Sequence, residues 1–239
     1  MIRRRQVLPE LLHGLPADDP RALHARKDIK RINGLLRHHR VMAAALAEHW
    51  LAASPPRLLI DLGAGDGSFA LRVARPLSRR WQNVRVLLVD RQAAVSDVTR
   101  ERFRRLGWDA EAVTMDVFAF LETTTSPSAQ AMMANLFLHE LPQDQLARLF
   151  THAAQRARLL VACEPRRALF PLAASRLLWA IGCGEVARHD AAVSVRAGFR
   201  KSELSDLWPQ QGRWVVRERE VGLFSHRFVA RRDDVGTQR

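Results

Sequence analysis

The spacing of apolar residues changes near residue 57. Upstream, from Arg21 to Ala53, Ile29, Ile32, Leu35 and Leu36 fall at intervals of three, four and seven, the period of one apolar helix face. Gly34 is expected to bend that helix or divide it, and Ser54-Pro55-Pro56 to end it and serve as a linker. Downstream, short apolar runs alternate with amphipathic stretches. The runs 57–63, 83–90, 110–116, 129–137 and 158–164 suit fully buried strands, and 68–77, 93–107 and 143–157 suit the helices between them, with Gly107 as a C-cap.

Repeated strand–helix units of this length predict an α/β fold, a doubly wound parallel sheet with helices on both faces. Two late features break the rhythm. Residues 166–208 are helix-like but too long for a simple crossover, and read as a helical cap insertion. Residues 212–222 and 223–232 then read as strands joined at Gly222, giving a seven-stranded, mostly parallel sheet that ends in an antiparallel hairpin. The expected organisation is a helical extension over 1–56, the α/β domain over 57–232 and a tail over 233–239.

Composition adds limits. No apolar run approaches the roughly 20 residues of a membrane helix, and Pro9, Glu10 and His13 interrupt what would be the core of a signal peptide. Cys163 and Cys183 are the only cysteines and form no CxxC pair, which argues against a disulfide framework or a structural zinc site and makes a cytoplasmic location the default. The net charge of +13 suggests a polyanionic partner. The scatter of arginines over nearly every segment, with only Lys27, Lys30 and Lys201 as lysines, suggests instead a solvated surface.

The first strand runs into "DLGAGDGSFA", where Gly63, Gly65 and Gly67 allow a tight turn and close backbone approach to a ligand. The dinucleotide fingerprint fails because Ser68 holds its third glycine position, and no Gly-Lys-Ser/Thr follows for a P-loop. The spacing resembles the first motif of the class I S-adenosylmethionine-dependent methyltransferases, whose doubly wound sheet has a reversed last strand. That resemblance implies S-adenosylmethionine as cofactor, with Asp61, Gly63, Ala64, Gly65 and Gly67 around its methionine half. It implies Asp90, with Arg91 beside it, at the ribose, Asp116 and Val117 near the adenine, and Asn135 near the sulfonium. These features close successive strands at their carboxyl ends, as the crevice rule for open α/β sheets requires.

After the fourth strand, "FLHELPQDQLARLF" resembles the corresponding exit in small-molecule O-methyltransferases acting on phenolic, polyketide or quinone-type acceptors. The resemblance implies that His139 is the general base, that Glu140 replaces the family's aspartate, and that Glu164 helps hold the base. A phenol, with a pKa of about 10, gains from a base within hydrogen-bond reach. In the cap, His189 beside Asp190 could supply that base or tie down the insertion; a zinc role for it lacks spaced partners. Leu169, Leu172, Leu177, Leu178, Trp179 and Ile181 could line an acceptor pocket or pack as helix core. Arg37-His38-His39-Arg40 could cover the cofactor carboxylate or form a solvated helix face, and His226 reads as structural.

The expected function is methyl transfer to a hydroxyl of a small aromatic or polyketide-like acceptor, without nucleic acid and without a membrane span. Alternatives are C- or N-methylation of a small molecule, methylation of RNA, suggested by the charge, and a cofactor-binding partner protein without turnover. Against RNA, no Asn/Asp-Pro-Pro-Tyr/Phe signature follows the fourth strand, and no cysteine stands where a C5-methylating enzyme needs a nucleophile.

Overall fold

The computed structural model describes residues 4–16, 18–92, 95–123, 131–210 and 213–233. Helices α1 (Pro20–Leu36) and α2 (His38–His49) precede the sheet. Strands and helices then alternate: β1 (Leu58–Leu62), α3 (Ser68–Leu77), β2 (Val84–Asp90), α4 (Asp97–Arg104), β3 (Trp108–Thr114), α5 (Val117–Thr123), β4 (Ala131–Asn135), α6 (Gln143–Arg156) and β5 (Leu159–Pro165). The cap contains α7 (Leu169–Arg176) and α8 (Glu185–Ala197), and β6 (Trp214–Val221) and β7 (Ser225–Arg232) close the chain.

The sheet order is β3-β2-β1-β4-β5-β7-β6. Strands β1 to β5 run parallel, and β7 is antiparallel to both β5 and β6. The expected fold class is therefore observed. Strand side chains alternate between two cores although the strands read as continuous apolar runs. Leu59, Met133, Val161 and Val229 face the layer of α2, α3 and α4. Ile60, Met132, Leu160 and Ala230 face the layer of α5 and α6. Strand order reverses between β1 and β4, and ligands bind in the crevice that such a reversal opens at the carboxyl ends.

Several local expectations need correction. Helix α1 runs through Gly34, and the division falls at Arg37, which adopts the left-handed φ of 52°. Helix α2 ends at His49, before the Ser54-Pro55-Pro56 linker. The third strand starts earlier than expected, at Trp108, whose indole donates to the Trp81 carbonyl at 2.7 Å and anchors that start. Helix α5 had no counterpart in the sequence reading; Asp116 initiates it by accepting the Phe118 amide at 2.9 Å. Of the expected strands and helices, residues 93–94, 129–130 and 212 lie outside the described residues, as do residues 234–239 of the tail.

The core beside the hairpin is aromatic. Phe150 of α6 stacks on Phe228 with centroids 5.2 Å apart, and Trp208 packs against both rings. Phe150 is fully buried. Phe150→Ala should therefore cost about 3–5 kcal/mol, the usual loss for a large-to-small aromatic change in a core. Thermal unfolding checks this, with a Tm lowered by roughly 6–20 °C for a chain of this size.

Candidate active site

The loop after β1 is shaped by its glycines. Gly63, Gly65 and Gly67 all have positive φ, and the Gly63 and Ala64 amides donate to the Val89 carbonyl at 3.0 and 3.1 Å. At Gly63 a Cβ would meet the Phe137 ring at 2.5 Å, so the absent side chain lets β1 and the β4 exit close on each other. Asp90, at the end of β2, accepts the Gly65 amide at 2.9 Å and the Gln92 amide at 2.9 Å. Beneath the loop Asp61 is buried, and its Oδ2 has no hydrogen-bond partner among the described residues. Burial, followed by the neighbouring Asp90 charge, raises the Asp61 pKa well above the usual carboxylate value. Lys30 of α1 reaches over the loop to Asp66 at 2.6 Å.

Two cavities meet at the carboxyl ends of the strands. A cleft of about 850 Å³ is lined by Gly63, Gly65, Asp90, Arg91, Asp116 and Val117 among others. A largely apolar cavity of about 390 Å³ lies between α1, α7 and α8, with Ile29, Ile32, Leu36, Leu178 and Val195 in its wall. Glu10, Leu12, Leu136, His139 and Glu140 line both.

His139 is held at this junction by Glu164. The carboxylate is fully buried and accepts the Phe137, Leu138 and His139 amides at 3.1, 2.9 and 3.3 Å. It also takes His139 Nδ1–H at 2.8 Å. On the other side of the ring, Nε2 lies 3.6 Å from Oε1 of Glu10, in the segment before α1. Burial disfavours the imidazolium, but the nearby Glu10 carboxylate and the hydrogen-bonded Glu164 outweigh it and raise the His139 pKa to about 10.

Of the expected site residues, Gly63, Gly65, Asp90, Arg91, Asp116, Val117 and His139 line the cleft. Asp61, Ala64, Gly67, Asn135 and Glu164 stand behind it, outside the cleft wall. Asn135 is engaged elsewhere: its Oδ1 meets His38 Nδ1 at 2.9 Å, and His38 Nε2 meets Ser225 Oγ at 2.6 Å. His38 is thus a buried strut between α2, β4 and β7, not part of a solvated face. His189 has a half-exposed ring 3.1 Å from Asp190 and lines neither cavity. Asp190 itself accepts the Leu11 and Leu12 amides at 2.8 and 3.0 Å and ties the N-terminal segment to the cap. Of the six apolar cap residues read either as acceptor-pocket lining or as helix core, Leu178 alone lines the cavity; Leu169, Leu177, Trp179 and Ile181 are exposed and do neither. His226 is buried against Glu218 at 2.6 Å, a structural contact.

Glu10 was not found as a site residue from the sequence, and His38 was raised only within a quartet that could cover the cofactor carboxylate or form a solvated face. Glu10 sits in an irregular stretch without periodicity, so no local signal marks it. His38 was visible as part of a basic quartet, but its burial depends on Asn135 and Ser225, far away in the chain.

Residues 59–158 match the methyltransferase domain family model. This match and the sheet order bear out the resemblance to class I S-adenosylmethionine-dependent methyltransferases, and S-adenosylmethionine is the cofactor such a domain uses. No curated protein sequence matches the chain. Among solved structures, the plantazolicin methyltransferase BpumL in complex with SAH is similar at a TM-score of 0.61 and 10% identity, over 90% of this chain and 92% of that one. The plantazolicin methyltransferase BamL, in complex with a triazolic desmethylPZN analog and SAH, gives 0.63 and 12% over 91% and 93%. The mitomycin 7-O-methyltransferase MmcR gives 0.56 and 19% over 93% and 60%. At these identities the likenesses show the fold. No helix among the described residues is long and apolar enough to cross a membrane.

Gly63→Ala should impose a left-handed backbone on alanine, costing about 1–2 kcal/mol, and should also displace Phe137. The expected outcome is a lower Tm together with lost S-adenosylhomocysteine binding, measured by calorimetry.

Proposed function

We propose that this chain methylates a hydroxyl of a small, largely apolar acceptor, aromatic or polyketide-like, with His139 as general base. The observation that carries this conclusion is that His139 lines both cavities, so one ring faces a cofactor-sized cleft and an apolar chamber. A chamber of about 390 Å³ is within the usual range for small-ligand sites. The similarity in fold to the mitomycin 7-O-methyltransferase MmcR agrees with an oxygen acceptor.

The cleft suits S-adenosylmethionine. Oδ2 of Asp61, without a hydrogen-bond partner among the described residues, is a buried polar atom that a polar group of the cofactor or an ordered water would satisfy. Gly65 turns at a φ of 55° with open space where a Cβ would stand, as a close ligand approach needs. Gly63, Ala64, Gly65 and Gly67 would cradle the methionine half above Asp61. Asp90 and Arg91 would meet the ribose, Asp116 and Val117 the adenine. Asn135, fixed by His38, would keep the β4 exit in place beside the sulfonium. Bound there, the cofactor supplies an electrophilic methyl group.

The chain's own part is alignment and proton removal. Glu164 fixes the His139 ring through Nδ1 and leaves Nε2 to receive the hydroxyl proton. A base with a pKa of about 10 matches a phenol in strength. At neutral pH it is mostly protonated, so only a small fraction of the enzyme is ready to act. Glu10 must yield Nε2 when the acceptor enters.

Two outcomes are expected with labelled S-adenosylmethionine and a panel of phenols. First, kcat/KM should rise with pH toward about 10 as His139 loses its proton, and His139→Gln should lower kcat by roughly 10²–10⁴-fold while still binding cofactor. Second, transfer should go to a hydroxyl. Label in RNA and in no phenol contradicts the proposal, as does unchanged turnover in His139→Gln.

A further inference from the structure

The charge of the apolar cavity runs against that of the chain. About one residue in six is Lys or Arg, and the net charge is +13. Among the described residues lining the cavity there is no Lys or Arg, while Glu10, Glu140 and Asp190 all contribute carboxylates. The adjoining cleft, by contrast, includes Arg26, Arg91 and Arg148.

We propose that the acceptor is an apolar molecule that is uncharged or cationic around the methylated group, and that Glu10 is the residue that excludes anionic acceptors. This rests on taking the apolar cavity as the acceptor site.

Glu10 stands where the reacting group has to lie. Its carboxylate lines both cavities, lies 3.6 Å from His139 Nε2 and accepts from Ser194 Oγ at 2.6 Å. Its side chain is only 13% exposed, so water screens it weakly. Glu10 and Glu164 flank one imidazole. Two carboxylates against at most one positive ring leave the trio negative, and more so once His139 has lost its proton to act as base. A carboxylate or phosphate on the acceptor would leave water for an apolar wall to which no described Lys or Arg contributes, and would face the Glu10 and Glu164 carboxylates across the ring. An amine or a neutral group meets no such penalty.

The position of Glu10 is built in. Asp190 has both oxygens engaged by the Leu11 and Leu12 amides, directly after Glu10. Arg5 donates to the Ala197 and His139 carbonyls, each at 2.7 Å, and its guanidinium lies 4.6 Å from the Phe199 ring centroid. The segment before α1 is thus clipped to α8 and to the β4 exit. It delivers one carboxylate to the junction.

The test uses a naphthol series that differs only in one ring substituent: carboxamide, carboxylate or aminomethyl. Binding to the S-adenosylhomocysteine-loaded protein is measured by calorimetry, and kcat/KM by methyl transfer. For the wild type the carboxylate should bind at least ten-fold more weakly than the carboxamide, and the aminomethyl compound at least as tightly. Glu10→Gln should narrow the gap between aminomethyl and carboxylate ten-fold or more and move the rise of kcat/KM with pH to lower pH. Glu10→Asp should keep the wild-type ranking, which separates charge from folding. A carboxylate that binds as well as the carboxamide, or a gap unchanged in Glu10→Gln, overturns the proposal alone. Failure of all three compounds to bind the loaded protein overturns the acceptor-site reading beneath it.

Discussion

The candidate site depends on one buried carboxylate. Glu164, at the end of β5, accepts successive backbone amides of the β4 exit and the ring N–H of His139. A carboxylate without contact to water is costly unless its lone pairs are engaged, and here these donors engage both oxygens. The same bonds fix the chain where it leaves the sheet. Removing the carboxylate would orphan the Phe137, Leu138 and His139 amides together, so the turn, the ring orientation and the base strength stand or fall as one.

Around that anchor the molecule separates charges by place. The N-terminal segment carries Arg5 to backbone carbonyls and Glu10 to the other side of the His139 ring. The ring therefore lies between an acid supplied by the sheet and an acid supplied by the extension. On the proposed mechanism the first stays fixed and the second gives way to the acceptor. His139 is on that proposal a strong base masked at rest, and on the further inference for Glu10 the chamber is unfavourable to anions. The high overall charge belongs to the outer surface and gives no guide to the chamber.

Much of the fold was legible because its determinants are local. The helix after the glycine loop was bounded correctly by apolar spacing, and the strands were read from short apolar runs punctuated by glycine. The glycine loop was legible for the same reason: positive φ at Gly63, Gly65 and Gly67 leaves little choice of residue. What escaped depends on contacts distant in sequence. Arg37 takes a left-handed conformation that Gly34 would have taken more readily, so the break falls where local propensity does not point. His38 looked like surface among its charged neighbours, yet Asn135 and Ser225 hold it inside. Glu10 left no trace at all, since an isolated acid in an irregular segment acquires meaning only through His139. Asp190 was read beside His189 as one candidate pair, but the backbone amides of Leu11 and Leu12 give it a structural task.

On the proposed mechanism an acceptor hydroxyl meets His139 Nε2 at the junction of the two cavities. A crystal structure with S-adenosylhomocysteine and a naphthol bound together tests it most directly. The naphthol oxygen is expected within hydrogen-bond reach of Nε2, on the side of the ring toward the sulfur, with Glu10 displaced from that nitrogen and Glu164 still on Nδ1. A naphthol oxygen lodged elsewhere, with Glu10 still beside His139, would contradict it.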